Sequence, residues 1–158
     1  MNSGKRFENN FKKSIPDNVY YYRFRDGTSS WAKGENTRFQ QTNACDCMLF
    51  FNGKLFMLEL KTHKGKSIPF SCIRDNQLEQ LAEAESYGIN AGFVVDFQDT
   101  GDCYYVSASL LKNYIEIAER KSVPIEWFAL NGCHIPSRQL RVNRRYDLEV
   151  LIIESDGE

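Results

Sequence analysis

Asp46 and the run Glu59-Leu60-Lys61 have the residue types and spacing to do chemistry. Between them stands Asn52-Gly53, the strongest short signal for a two-residue type I′ hairpin turn. With that turn, Phe51 faces Lys54, and counting back along both arms sets Asp46 opposite Glu59. Directly opposed residues of an antiparallel pair have Cβ atoms about 4.5–5.5 Å apart. Lys61 lies two residues past Glu59 and so projects from the same face. A bulge in either arm would break this register, so the pairing is an expectation.

Two facing carboxylates beside an apolar core repel each other, and both lose hydration. One structural solution is an ion pair at a sheet end, with Lys61 neutralising one of them. The chemical solution is a divalent cation. Mg²⁺ takes hard oxygen ligands from one or two carboxylates, keeps several waters and binds substrate phosphates. The neighbouring lysine then orients or deprotonates a water on the ion, or stabilises charge developing on phosphate. Glu8 borders the Phe7/Phe11 face of a first helix, and Gln77 borders the Leu78/Leu81 face of a second. Both either complete the site or are polar residues at the rim of a buried stripe.

The elements that must position these groups follow from periodicity. The carboxylate face of the hairpin also carries Met48, Phe50, Leu55 and Met57. The opposite face carries Cys45, Cys47, Leu49, Phe51, Phe56, Leu58 and Leu60. Strands apolar on both faces belong inside a covered sheet. Residues 3–14 read as a helix stopped by Pro16, and 19–25 as a strand. Residues 26–43 are polar and read as a long loop containing Trp31 and Phe39. The hairpin arms are 46–51 and 54–61. A basic loop over 62–67 leads to a short strand at 68–70 and a helix over 74–87 ended by Gly88. Residues 91–97 and 103–106 read as strands joined by a turn with Asp99 and Gly101. Ser107 or Ser109 caps a helix running to about residue 121. Residues 125–130 read as a strand, and 146–153 fit either period.

The 158 residues fit one domain, 1–158. An apolar share of 42% is enough for a real core. No apolar run approaches the roughly 18 residues of a membrane span, and the N-terminal residues have no signal-peptide character. Five cysteines do not read as a disulfide framework, and their spacing with the two histidines matches no common zinc pattern. A soluble intracellular protein with reduced thiols is expected. A net charge of −1 gives no bulk signal for nucleic acid. Any such role must rest on local clusters: Lys5, Arg6, Lys12 and Lys13 near the start, and Arg138, Arg141, Arg144 and Arg145 near the end. Charge clusters are also commonly just solvated faces.

Asp46 followed by Glu59-Leu60-Lys61 resembles the PD-(D/E)xK nuclease signature, which sits on a β-hairpin between helices. The likeness extends further. Gly4-Lys5-Arg6-Phe7-Glu8 is similar to the first-helix element of the RecU Holliday-junction resolvases. Glu59-Leu60-Lys61-Thr62, Ile68-Pro69-Phe70, Asp75-Asn76-Gln77-Leu78, Ala91-Gly92-Phe93-Val94-Val95 and Tyr104-Tyr105-Val106 follow in that family's order. The resemblance spans roughly residues 4–120.

It implies an α/β fold with a restriction-endonuclease-like core, a mixed central β-sheet flanked by helices. It also implies Mg²⁺-dependent hydrolysis of DNA phosphodiesters, with Mn²⁺ able to substitute, by a homodimer acting on four-way junctions in recombination and repair. Glu8, Asp46, Glu59, Lys61 and Gln77 carry over as catalytic-site residues, with Asp46, Glu59 and the Leu60 carbonyl as metal ligands. DNA phosphates are expected on Lys5, Arg6, Lys12, Lys64, Lys66, Arg144 and Arg145. Tyr20, Tyr22, Trp31, Trp127 and Phe128 offer apolar surface for a dimer, though each is equally a core candidate. Asn76 stands where the family usually has His. Ala44 and Cys45 stand where cellular members carry threonines. The segment between Tyr22 and Asp46 is shorter than the cellular junction-inserting stalk, as a compact phage-type member would explain. Such an enzyme would work in the cytoplasm of a bacterium or a phage-infected cell. The rival readings are another PD-(D/E)xK nuclease, of nicking, flap or restriction type, and a non-catalytic DNA-binding module on the same fold.

Overall fold

The structure is a computed structural model that describes residues 1–25 and 42–155. Apart from residues 42 and 43, the loop expected over 26–43, with Trp31 and Phe39, lies outside the described residues.

The hairpin forms as its turn dictates. Asn52 and Gly53 have φ of 48° and 80°, the pair of positive values that a type I′ turn requires. Phe51 therefore pairs with Lys54 between β2 (Cys47–Phe51) and β3 (Lys54–His63). β1 (Tyr20–Arg23) lies antiparallel on the outer side of β2, with Tyr20 opposite Phe50 and Arg23 opposite Cys47. From β3 the chain passes through β4 (Ser67–Pro69), a 3-10 turn and α2 (Asp75–Ser86). It returns as β5 (Asn90–Phe97), parallel to β3. β6 (Asp102–Ser107) folds back antiparallel on β5, and β8 (Cys133–Ile135) pairs with the far side of β6. The result is a six-stranded mixed sheet of order β1-β2-β3-β5-β6-β8.

Helices cover both faces. On one side lie α1 (Ser3–Lys13) and α5 (Glu149–Ser155), whose Phe7, Phe11 and Leu151 pack with Cys47, Leu49, Phe56 and Leu58. On the other lie α2, α3 (Ala108–Ile117) and α4 (Ile125–Asn131), burying Leu78, Leu81, Phe93, Val95 and Phe97. A strand covered on both faces needs a continuous apolar run, and β5 is buried from Ala91 to Phe97. Helix α1 starts where the Asn2 side chain accepts the Lys5 N–H at 2.8 Å. Its last turn carries Lys12 and Lys13, which suit the negative end of the helix dipole.

Four expectations are corrected. Residues 125–130 form helix α4, not a strand: Phe128 drops onto Phe97 and Tyr104, and Trp127 onto Tyr114. Helix α3 stops at Ile117 rather than near 121, and Ser107, which does occupy the N-cap, makes no capping bond with its hydroxyl. Instead the Glu85 carboxylate of α2 accepts the Ser109 N–H and hydroxyl, each at 2.8 Å, so α2 supplies the cap. Residues 62 and 63, expected in a loop, continue β3. The segment 146–153, which fits either period, is mostly helix: only Tyr146 belongs to a strand, β10 (Arg144–Tyr146), which pairs with β9 (Ser137–Gln139), and α5 follows from Glu149. Similarly β7 (Ser122–Pro124) pairs with β4.

Candidate active site

Asp46 precedes β2 by one residue, and its exact placement departs from the expected register. The ladder ends at Cys47 opposite Leu58, yet the Asp46 N–H also donates to the Leu58 carbonyl, at 3.1 Å. Two successive residues thus share one opposite number, as in a β-bulge. Asp46 is therefore not squarely opposite Glu59. The break in alternation also sends Cys45 to the α2 side of the sheet, with Leu78 and Phe93, while Cys47 stays on the α1 side. The Asp46 carboxylate turns across the strand end, and its Oδ2 accepts the Leu60 N–H at 2.8 Å. Burial and nearby Glu8 push its carboxyl up, and the Leu60 N–H, Lys61 and Arg23 oppose them.

Glu59 projects from the middle of β3 and is 3% exposed. Lys61 Nζ lies 3.1 Å from its Oε1. Its Oε2 is buried with no hydrogen-bond partner. Burial, and then Asp46, push the Glu59 carboxyl up to about 7, against the pull of Lys61 and Gln77. Gln77, in the first turn of α2, is also buried, and its Oε1 has no partner. Glu8, from the α1 side, accepts Arg23 Nη2 at 2.9 Å and Nε at 3.0 Å on Oε2. The structure thus brings Glu8, Asp46, Glu59, Lys61 and Gln77 to one end of the β2–β3 pair.

Arg23 is a site residue that sequence reasoning did not single out. Extending the hairpin register to a third strand would have found it, because Arg23 faces Cys47, next to Asp46.

Just past Lys61, the strand end is fixed by a polar network on the α1 side. Thr62 donates to Asp96 Oδ2 at 3.0 Å, and Tyr146 donates to Oδ1 at 3.1 Å. Gln98 donates to Thr62 Oγ1 at 3.0 Å. Burial pushes Asp96 up, and the bonds from Thr62 and Tyr146 hold it back. Arg144 joins this network rather than facing solvent freely: its Nη1 donates to Ser137 Oγ at 2.9 Å and to the Gly101 carbonyl at 3.2 Å. Lys5, Arg6, Lys12, Lys64 and Lys66 are exposed, and Arg145 is half-buried.

Among the described residues, no three His, Cys, Asp or Glu side chains converge as a metal-binding group. The available donors are two carboxylates. A buried, unpartnered carboxylate oxygen beside a second carboxylate is a donor set that fits a hard divalent cation.

Comparison with known proteins bears on this geometry. The family model described as Recombination protein U matches residues 10–146. The SPbeta prophage-derived uncharacterized protein YotM of Bacillus subtilis (strain 168) is 34% identical over 167 residues, covering 95% of this chain and 85% of YotM. Among solved structures, Hjc from Archaeoglobus fulgidus, described as a Holliday junction resolvase from an archaeal hyperthermophile, aligns with a TM-score of 0.52. It covers 83% of this chain and 95% of Hjc at 17% identity, a likeness of fold: the restriction-endonuclease-like core. No helix among the described residues is long and apolar enough to cross a membrane.

Proposed function

The chain belongs to the RecU family, and on that premise we propose that it is a Mg²⁺-dependent endonuclease that resolves four-way DNA junctions as a homodimer. The observation that carries this reading is the buried Glu59 Oε2, which has no protein partner although Asp46 and Lys61 stand beside it. A buried acceptor left unmade costs about 1–3 kcal/mol or more, so the site is built for a group that the chain does not supply.

Asp46, Glu59 and the Leu60 carbonyl would hold the ion, which when bound supplies Lewis acidity at the phosphate and a more acidic water. The protein's own groups do the positioning. Lys61 Nζ orients the attacking water and stabilises negative charge growing on the phosphate. Glu59 holds Lys61 at 3.1 Å and so sets where that positive charge sits. Gln77 faces Glu59 from α2. The Arg23–Glu8 pair lies beside Asp46 and balances its surroundings. Thr62 and Asp96 fix the strand end that carries Lys61. Exposed Lys5, Arg6, Lys12, Lys64 and Lys66 would hold DNA phosphates. Action on DNA would place the protein in the cytoplasm of a bacterium or phage-infected cell, where the prophage origin of YotM also points.

The test is cleavage of synthetic four-way junction, flap and plain duplex DNA with Mg²⁺, with Mn²⁺ and with a chelator. Paired cuts in the junction alone are expected, and none with chelator. Equal cutting of plain duplex would replace junction resolution with a restriction-type or nicking activity. Metal-independent cutting would remove the ion from the reading.

A further inference from the structure

The β9–β10 hairpin sets two arginines directly against each other. Arg138 and Arg145 are partners in its antiparallel register. Their side chains therefore leave one face of the ribbon with Cβ atoms about 4.5–5.5 Å apart. Like charges in this position destabilise a strand pair, and each strand here has only 3 residues. The hairpin is docked on the end of α1, where the Ser14 hydroxyl accepts the Tyr146 N–H at 3.0 Å and donates to the Asn10 carbonyl at 2.7 Å. That contact brings Lys13 to the same place.

The three cations line one cleft of about 400 Å³, together with Ser14, Pro136 and Asp147. Among the described residues none of Lys13, Arg138 and Arg145 forms an ion pair. One guanidinium nitrogen of Arg145, Nη1, is buried with no hydrogen-bond partner. The single carboxylate of the lining, Asp147, accepts the Glu149 N–H at 3.2 Å at the start of α5. The cleft shares no residue with the Asp46/Glu59/Lys61 site.

Opposed like charges and an unmade donor are relieved together by one group: an anion with several acceptor oxygens. A tetrahedral oxyanion takes charge-assisted bonds from two guanidinium groups and an ammonium at once. Lys13 and Arg138 are exposed at the mouth, so the anion can remain part of a longer chain. We propose that this cleft is a phosphate-binding site, separate from the catalytic centre, that holds a phosphodiester of the nucleic-acid backbone. The nucleic-acid source rests on the function proposed above. The oxyanion chemistry does not.

The test has two arms. In the first, thermal melts of the full chain with chelator are run in phosphate and in chloride at equal ionic strength. Phosphate should raise the wild-type Tm, and Arg138→Gln/Arg145→Gln should lose that rise. Lys13→Gln, which leaves the hairpin untouched, should reduce it. Without phosphate, Arg138→Gln alone should melt at or above wild type, because the repulsion is gone. In the second arm, DNA binding is measured in a Glu59→Gln background, so that cutting does not interfere. The double arginine change should make the log–log salt slope shallower by about 0.9 for each duplex phosphate released. No phosphate rise in the wild type, or an equal rise in the double variant, overturns the site. A lost rise with an unchanged slope overturns the phosphodiester and leaves free phosphate as the ligand. A protein that shows both effects but does not cut junctions keeps this site and loses the nuclease reading.

Discussion

Glu59 bears the conflict built into the candidate site. Burial and Asp46 push its carboxyl up to about 7, so the native chain holds a proton that the unfolded chain has already released. Between roughly pH 4.5 and about 7 the folded state binds more protons than the unfolded one. Stability in chelator should therefore fall as pH rises through that window. Glu59→Gln should flatten the slope and raise the Tm at pH 8, while abolishing cleavage and leaving DNA binding largely intact. Melts across pH and a cleavage assay read both effects. A slope that persists in the variant would assign the titration elsewhere. Lys61→Met should also lose cleavage, and it should move the pH-dependent fall in stability upward, because Glu59 loses its counter-charge. At this scale the residue types were legible, since Asn52-Gly53 fixes the register that gathers Asp46, Glu59 and Lys61. The bulge at Asp46 was not: Ala44-Cys45-Asp46 has no glycine or other residue that marks an extra position. Arg23 was hidden for a related reason, because pairing β1 with β2 requires knowing which edge of the hairpin is open.

Among the elements, β5 is where backbone closeness decides the packing. A Cβ built on Gly92 would lie 2.1 Å from the Val106 carbonyl oxygen and 2.9 Å from the Tyr105 ring. Gly92→Ala must push β6 away from β5, the parallel strand that braces the β3 arm carrying Glu59 and Lys61. A loss of about 1–3 kcal/mol is expected by chemical denaturation, with activity falling in parallel. Gly4→Ala is the control. Its nearest neighbour would be the Asn2 side-chain oxygen at 3.6 Å, an ordinary contact in the first turn of α1, so the change should be neutral or gain about 0.5–1 kcal/mol from helix propensity. Equal losses in the two variants would show that β5–β6 closeness is not the cause. Long periodic elements such as α1, α2, β3 and β5 could be read from the chain alone. The region after residue 122 could not, because its strands are three residues long and two of them, β7 and β8, are held by distant partners. Residues 125–130 show why: Ile125, Trp127 and Phe128 suit a strand by type, but burial of Phe128 against Phe97 and Tyr104 favours a helix. Tertiary packing overrides propensity there.

For the whole molecule, a near-neutral charge and one cluster of candidate catalytic residues among the described residues leave a geometric question. A four-way junction has approximate two-fold symmetry, and resolving it takes one cut in each of two like strands. A two-fold homodimer would place one Asp46/Glu59/Lys61 site at each cut. Of the aromatics expected to offer dimer surface, Phe128 is fully buried and Trp127 packs on Tyr114, so both serve the core. Trp31 lies outside the described residues. Tyr20 and Tyr22 remain 58% and 43% exposed, and Phe50, opposite Tyr20, is 47% exposed. Together they form an apolar stripe on one face of the two outer strands, the kind of surface a second copy of this chain would cover. A charge placed there should be costly only in a dimer. Tyr20→Glu, which sets no like charge opposite itself on β2, should weaken association by about 2 kcal/mol or more, roughly 30-fold in Kd, while leaving the monomer's Tm nearly unchanged. Sedimentation at assay concentrations should show the shift to monomer, and junction products should change from paired cuts to single nicks. A variant that stays dimeric would move the interface to another surface. A wild-type protein that is strictly monomeric yet cuts both strands in concert would remove the dimer altogether.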